Sequence, residues 1–193
     1  IRPGKSIDFG FDVKTYFNPL IDQLTKFYNA DDIEPIEFYG NCYNGNADLY
    51  TTMSYLPHVD TFPGADEGIN PLNDYAFNLN VTKSDKVKTA FYSFNGKKSV
   101  CDWTPDDYDD HDRVRDRHKK IKAKDWRLLS SENFQNYQLE YVANIEYNSL
   151  ILYPSHYWHS VYIKEDWFTD TDRVTFTGFF ETIFSKTKKL GFG

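Results

Sequence analysis

Two short segments about a hundred residues apart constrain this chain most. They are Leu56-Pro57-His58-Val59-Asp60 and Tyr153-Pro154-Ser155-His156-Tyr157-Trp158-His159-Ser160-Val161. Side chains two apart on a strand point to the same face. His58 and Asp60 therefore converge, and Val59 turns the other way. A histidine from a distant strand then completes a two-histidine, one-carboxylate set. That donor set holds a divalent metal and leaves three coordination positions open for an organic co-substrate and dioxygen. His159 is the candidate third ligand because it follows the apolar run Leu150-Ile151-Leu152-Tyr153. His156 is the competitor; three residues apart, the two cannot both face inward on one regular strand.

The rest of the chain supplies strands to carry such a site. With 16 Phe and 15 Tyr, aromatic residues reach 18%, and aromatics favour pleated, half-buried surfaces. Segments 35–43, 49–55, 75–82, 87–94, 137–145, 150–153, 160–163 and 173–180 read as strands. Asn95-Gly96 and Asn148-Ser149 read as turns, and 63–73 and 164–172 as loops. Ahead of them, Val13, Tyr16, Phe17, Leu20, Ile21, Leu24, Phe27 and Tyr28 recur at helical spacing. Pro19 suits the first helical position with Asn18 as its cap, the residues before it forming a separate turn. Many short strands joined by turns predict a mainly β sandwich or jelly roll with flanking helices, the first packed outside a sheet. Residues 1–193 form one domain on this reading: a helical part over 1–34, a strand core over 35–185, and a charged insert over 102–127.

Charge and cysteine content narrow the partners. A net charge of −7 and a pI near 5.2 disfavour general binding to nucleic acid. Cys42 and Cys101 are too far apart for a close metal-binding pair and read as free thiols of a reducing compartment, with a disulfide between them as the alternative. No apolar run is long enough for a membrane span and no signal peptide is visible, so a cytoplasmic location is expected. His111 and His118 sit in the charged insert and read as solvated. The acidic run from Asp106 to Asp112 lacks the Gly and closing Glu of a helix-loop-helix calcium site.

Arg173, Thr175 and Thr177 share one strand face, and Val174 and Phe176 the other. An inward Arg on an apolar strand needs an anionic partner, because a buried unpaired charge is costly. A planar guanidinium suits a carboxylate, and a nearby Thr hydroxyl adds a second donor. A structural ion pair with Asp or Glu is the alternative.

In order along the chain, His58-x-Asp60, Tyr75-Ala76-Phe77-Asn78-Leu79-Asn80, Thr89-Ala90-Phe91-Tyr92, Leu152-Tyr153 through His159-Ser160, and Arg173-x-Thr175 resemble the iron(II)- and 2-oxoglutarate-dependent dioxygenases. The likeness is to the prolyl-hydroxylase-like branch and its small phage and bacterial relatives, and it covers roughly residues 50 to 180. It implies a double-stranded β-helix, iron(II) on His58, Asp60 and His159, and 2-oxoglutarate clamped by Arg173 and Thr175. It further implies hydroxylation of a peptide or small molecule, with 2-oxoglutarate decarboxylated to succinate. Asn78-Leu79-Asn80 stands where relatives often carry Tyr-Leu-Asn, so Asn78 would take the Tyr's place beside the co-substrate. An aromatic mouth from Tyr55, Tyr92 and Trp158 would receive the substrate. The competing readings are a non-catalytic jelly-roll module that binds carbohydrate or protein through exposed aromatics, and a cupin-type metal enzyme that has no need of Arg173.

Overall fold

The computed structural model describes residues 13–43, 57–60, 74–118, 133–134, 136–164 and 167–184. Of the sequence expectations, the strand at 49–55, the loop at 63–73 and Tyr55 lie outside them. Among the described residues two α-helices, α1 (Val13–Tyr28) and α2 (Pro105–His118), flank eight strands: β1 (Asp32–Tyr43), β2 (Asp74–Asn80), β3 (Lys88–Phe94), β4 (Asn133–Phe134), β5 (Tyr137–Asn144), β6 (Leu150–Pro154), β7 (His159–Val161) and β8 (Arg173–Ile183). The strands form two four-stranded sheets, ordered β1-β8-β2-β6 and β4-β5-β3-β7. Every pairing is antiparallel. Among the described residues no helix is long and apolar enough to cross a membrane. Cys42 and Cys101 are free and exposed.

Period-two alternation decides what each sheet face does. In β6, Leu150 and Leu152 join Phe77 of β2 and Phe180 of β8 on the outer face of the first sheet. Phe17, Leu20, Ile21, Leu24 and Tyr28 of α1 cover that face, with the Phe17 ring 6.0 Å from Phe77. The alternate residues Ala76, Ile151, Tyr153 and Phe179 point inward and meet Phe91 of β3. That small cluster lies between the two sheets. A third cluster covers the outer face of the second sheet, where Ala90, Tyr92 and Phe94 of β3 pack with Tyr137, Trp158 and Val114 of α2.

Helix α1 differs from the sequence expectation. It runs unbroken from Val13, with Pro19 inside it rather than at its start. Proline there removes one backbone hydrogen bond and crowds the preceding turn. The apolar stripe continues on both sides of Pro19, from Phe17 to Leu20 and Ile21, and its burial against the sheet outweighs the local penalty. The helix ends at Asn29, whose φ of 50° is the left-handed conformation of a C-terminal cap. At the β3 end, Asn95 (φ 49°) and Gly96 (φ 78°) form the expected turn.

The charged insert, expected as a solvated loop and short helix, carries helix α2 over Pro105–His118. Helix α2 opens on Thr104 and Asp107, whose carboxylate accepts from the Thr104 amide at 2.7 Å and the Thr104 hydroxyl at 2.6 Å. Lys97 pairs with the same carboxylate. The ion pair with Lys97, then the Thr104 hydroxyl, hold the Asp107 carboxyl well below the usual carboxylate range. A depressed folded-state pKa adds stability above the unfolded value near 3.9, and that stability is lost as pH falls. Asp107→Asn is therefore expected to lower Tm at pH 7 and to flatten the fall in Tm below about pH 4. Thermal melts of both proteins from pH 7 down to pH 2 check this; parallel curves would contradict it.

His111 is not solvated either. Its side chain is 14% exposed, with Trp158 at 5.1 Å, Trp103 at 5.3 Å and Phe94 at 5.9 Å between ring centroids. Burial among these rings pushes its pKa down. It docks α2 on the second sheet; the sequence expectation failed because α2 has few apolar residues to show which face it buries.

Candidate metal centre

Residues 57–60 lie alongside β7. His58 and His159 exchange both backbone hydrogen bonds, N to O and O to N, at 2.9 Å each. The Asp60 amide donates to the Ser155 carbonyl at 2.9 Å. These bonds fix the segment against the chain leading into β7. The His58 and His159 rings lie 4.5 Å apart. His159 Nε2 is 3.3 Å from Asp60 Oδ2, and His58 Nε2 is 3.9 Å from Asp60 Oδ1. One donor atom from each of the three residues falls within 4.8 Å of the other two.

A metal with bonds near 2.1 Å at right angles spaces its donors about 3 Å apart. The three side chains need only a small contraction to reach that spacing, so the donor set fits a divalent ion. His159 is prepared for it. Its Nδ1 lies 2.9 Å from the Tyr157 carbonyl, which can only accept, so Nδ1 carries a proton and Nε2 is the ring nitrogen turned toward Asp60. The Asp60 side chain is 4% exposed, whereas the His58 side chain is 48% exposed. One edge of the centre is therefore open to solvent. His156, the alternative ligand, instead packs its ring 5.1 Å from Tyr157 and stays outside the group.

The inner face of the first sheet carries a polar chain toward this centre. Asn41 Nδ2 donates to Thr177 Oγ1 at 2.8 Å, Thr177 Oγ1 donates to Asn78 Oδ1 at 2.7 Å, and Asn78 Nδ2 donates to Tyr153 OH at 3.0 Å. The chain crosses β1, β8, β2 and β6 in spatial order. Its last ring, Tyr153, lies 4.6 Å from His159. Arg173 and Thr175 stand on the same face of β8 as Thr177, both buried, and Arg173 Nη1 donates to Thr175 Oγ1 at 3.4 Å. Asn78 thus reaches Thr177 and Tyr153. Tyr153 is a site residue that the sequence reading passed over, although it stood in the quoted strand.

Two expected mouth residues are in the core instead. Trp158 is fully buried and stacks on Trp103 at 4.8 Å. Tyr92 is buried in the same cluster, and burial pushes its hydroxyl pKa up to about 12. The reason is parity. Trp158 precedes His159, and Tyr92 follows Phe91; consecutive strand residues face opposite ways. With His159 and Phe91 turned toward the space between the sheets, their neighbours must turn outward. Among the described residues, Tyr153 is joined beside His159 by Phe91, 6.4 Å from His159 and edge-on to Tyr153 at 5.2 Å.

No family model and no curated protein matches the chain. Several solved structures are similar to it at low identity. HygX from Streptomyces hygroscopicus, in a crystal structure with iron bound, is 12% identical with a TM-score of 0.48, over 86% of this chain and 64% of that one. HygX with nickel and 2-oxoglutarate bound is 12% identical with a TM-score of 0.46, over 93% and 74%. An N-substituted L-amino acid dioxygenase from Burkholderia ambifaria AMMD is 11% identical with a TM-score of 0.44, over 83% and 57%. The chain thus spans less than two thirds of the iron-bound HygX chain. At such identity and overlap, function has to be read from this chain's own side chains.

Proposed function

We propose that this chain is an iron(II)- and 2-oxoglutarate-dependent oxygenase of the prolyl-hydroxylase-like kind, hydroxylating a peptide side chain or small molecule. The sheet orders β1-β8-β2-β6 and β4-β5-β3-β7, with His58 added beside β7, support a double-stranded β-helix as its scaffold. The observation that carries the reading is the convergence of His58, Asp60 and His159 within 4.8 Å.

His58 Nε2, the Asp60 carboxylate and His159 Nε2 would hold the metal on one face, leaving the opposite face open. Tyr157, through its carbonyl, keeps the His159 tautomer that makes Nε2 a donor. Arg173 offers a guanidinium to the far carboxylate of 2-oxoglutarate, with the Thr175 hydroxyl beside it. Phe91 and Tyr153 wall the His159 side and exclude water there. When bound, iron and 2-oxoglutarate supply the oxidising chemistry: one oxygen atom of O2 enters succinate, the other the substrate hydroxyl, and carbon dioxide leaves.

Thermal melts and a succinate assay test this. With manganese(II) present, 2-oxoglutarate at about 100 times its Kd is expected to add ~2.7 kcal/mol of stability. With iron(II) and 2-oxoglutarate the protein is expected to form succinate. Absence of both effects would favour the non-catalytic binding module.

A further inference from the structure

An irregularity in β5 turns Tyr141 to the face of Phe91, beside Glu140, where regular alternation would have sent it into the core. Tyr137 pairs with Phe94 and Leu139 with Tyr92, both on the outer core face of β3; the next pair is Phe91 with Tyr141, not Glu140. Glu140 is an extra residue, a β-bulge. Without it, Tyr141 would follow Tyr137 and Leu139 into the core. With it, Glu140 and Tyr141 both oppose Phe91, which β7 pairs with His159 on its other side. Bulges that re-aim side chains recur next to functional sites.

The two residues are displayed rather than packed. Tyr141 is 63% exposed, and its ring stacks on Phe91 at 6.4 Å with 22° between planes. It stands two strand spacings from His159, roughly 10 Å. Glu140 is steadied by Ser93, whose hydroxyl donates to Oε1 at 2.7 Å. A solvated ammonium, Lys98, lies 4.0 Å from Oε2. That is longer than a hydrogen bond, and surface pairs of this kind contribute little. A stacked, exposed phenol ring with a carboxylate at its side is suited to a cation: the ring face attracts positive charge and the carboxylate accepts its N–H groups.

We propose that Tyr141 and Glu140 form a cation-binding subsite that recognises an ammonium or guanidinium group of the substrate, two strand spacings, about 10 Å, from His159. This deepens the oxygenase reading and rests on it for the meaning of the substrate, although binding at the subsite needs no metal.

The test measures binding of three probes to the whole protein by saturation-transfer NMR titration: N-acetyl-lysine N-methylamide, N-acetyl-arginine N-methylamide and the neutral N-acetyl-norleucine N-methylamide. The cationic probes are expected to bind at least about 5-fold more tightly than the norleucine probe. Tyr141→Ala is expected to weaken them about 2- to 5-fold, and Glu140→Gln about 10-fold. Both side chains are exposed, so the variants should keep the wild-type melting curve. Equal binding of the norleucine probe, or unchanged affinity in both variants, overturns the proposal. Probe discrimination without succinate formation would sink the oxygenase reading alone. Succinate formation without discrimination would sink the subsite alone.

Discussion

His58→Ala is expected to lower metal affinity by at least about 100-fold and to remove succinate formation. Changes to groups that merely support a ligand already cost 10- to 100-fold, and this substitution removes a ligand itself. The variant is a clean one. The His58 side chain is 48% exposed, so truncation leaves little void. Alanine also keeps the backbone N–H and carbonyl that pair with His159. The melting curve of the metal-free protein should therefore hardly move while calorimetric titration with manganese(II) shows the loss. Metal affinity within a few-fold of wild type would remove His58 from the centre.

Arg173→Ala is expected to weaken 2-oxoglutarate by about 100-fold or more, from two charge-assisted hydrogen bonds of about 1.5–3 kcal/mol each. Metal affinity should stay near the wild-type value, because Arg173 lies outside the donor group. Arg173 is buried, so the alanine variant also loses packing, and the lysine variant separates the two effects. Arg173→Lys keeps the charge and most of the volume but not the planar fork, and an intermediate loss of about 10-fold is expected. Titration of each metal-loaded variant with 2-oxoglutarate under nitrogen gives the values. Equal affinity in all three proteins would reduce Arg173 to a structural ion pair.

Much of this arrangement was legible in the residues because parity is legible. His58 with Asp60, and Arg173 with Thr175 and Thr177, are two apart, and two-apart pairs share a face wherever the strand goes. The same rule was available against Trp158 and Tyr92. Each is adjacent in sequence to a residue that faces the centre, so each had to face the core. What parity does not reveal is an interruption of itself. The extra residue at Glu140 reverses the facing of Tyr141, and only the pairing of β5 with β3 exposes it. The polar chain from Asn41 through Thr177 and Asn78 to Tyr153 was likewise hidden, because it joins residues 136, 99 and 75 positions apart. A short helix in the charged insert was expected, but the face that α2 buries was obscured for a different reason. Its burial depends on one Val and a His set among aromatic rings, too few apolar positions to register as a periodic stripe.

One metal is expected on His58, Asp60 and His159 together. Anomalous diffraction from crystals grown with manganese(II), recorded on both sides of the metal's absorption edge, tests it most directly. A single strong peak is expected about 2.0–2.3 Å from His58 Nε2, an Asp60 carboxylate oxygen and His159 Nε2. A peak bound to other side chains, or no peak with the two imidazoles turned apart, would contradict it.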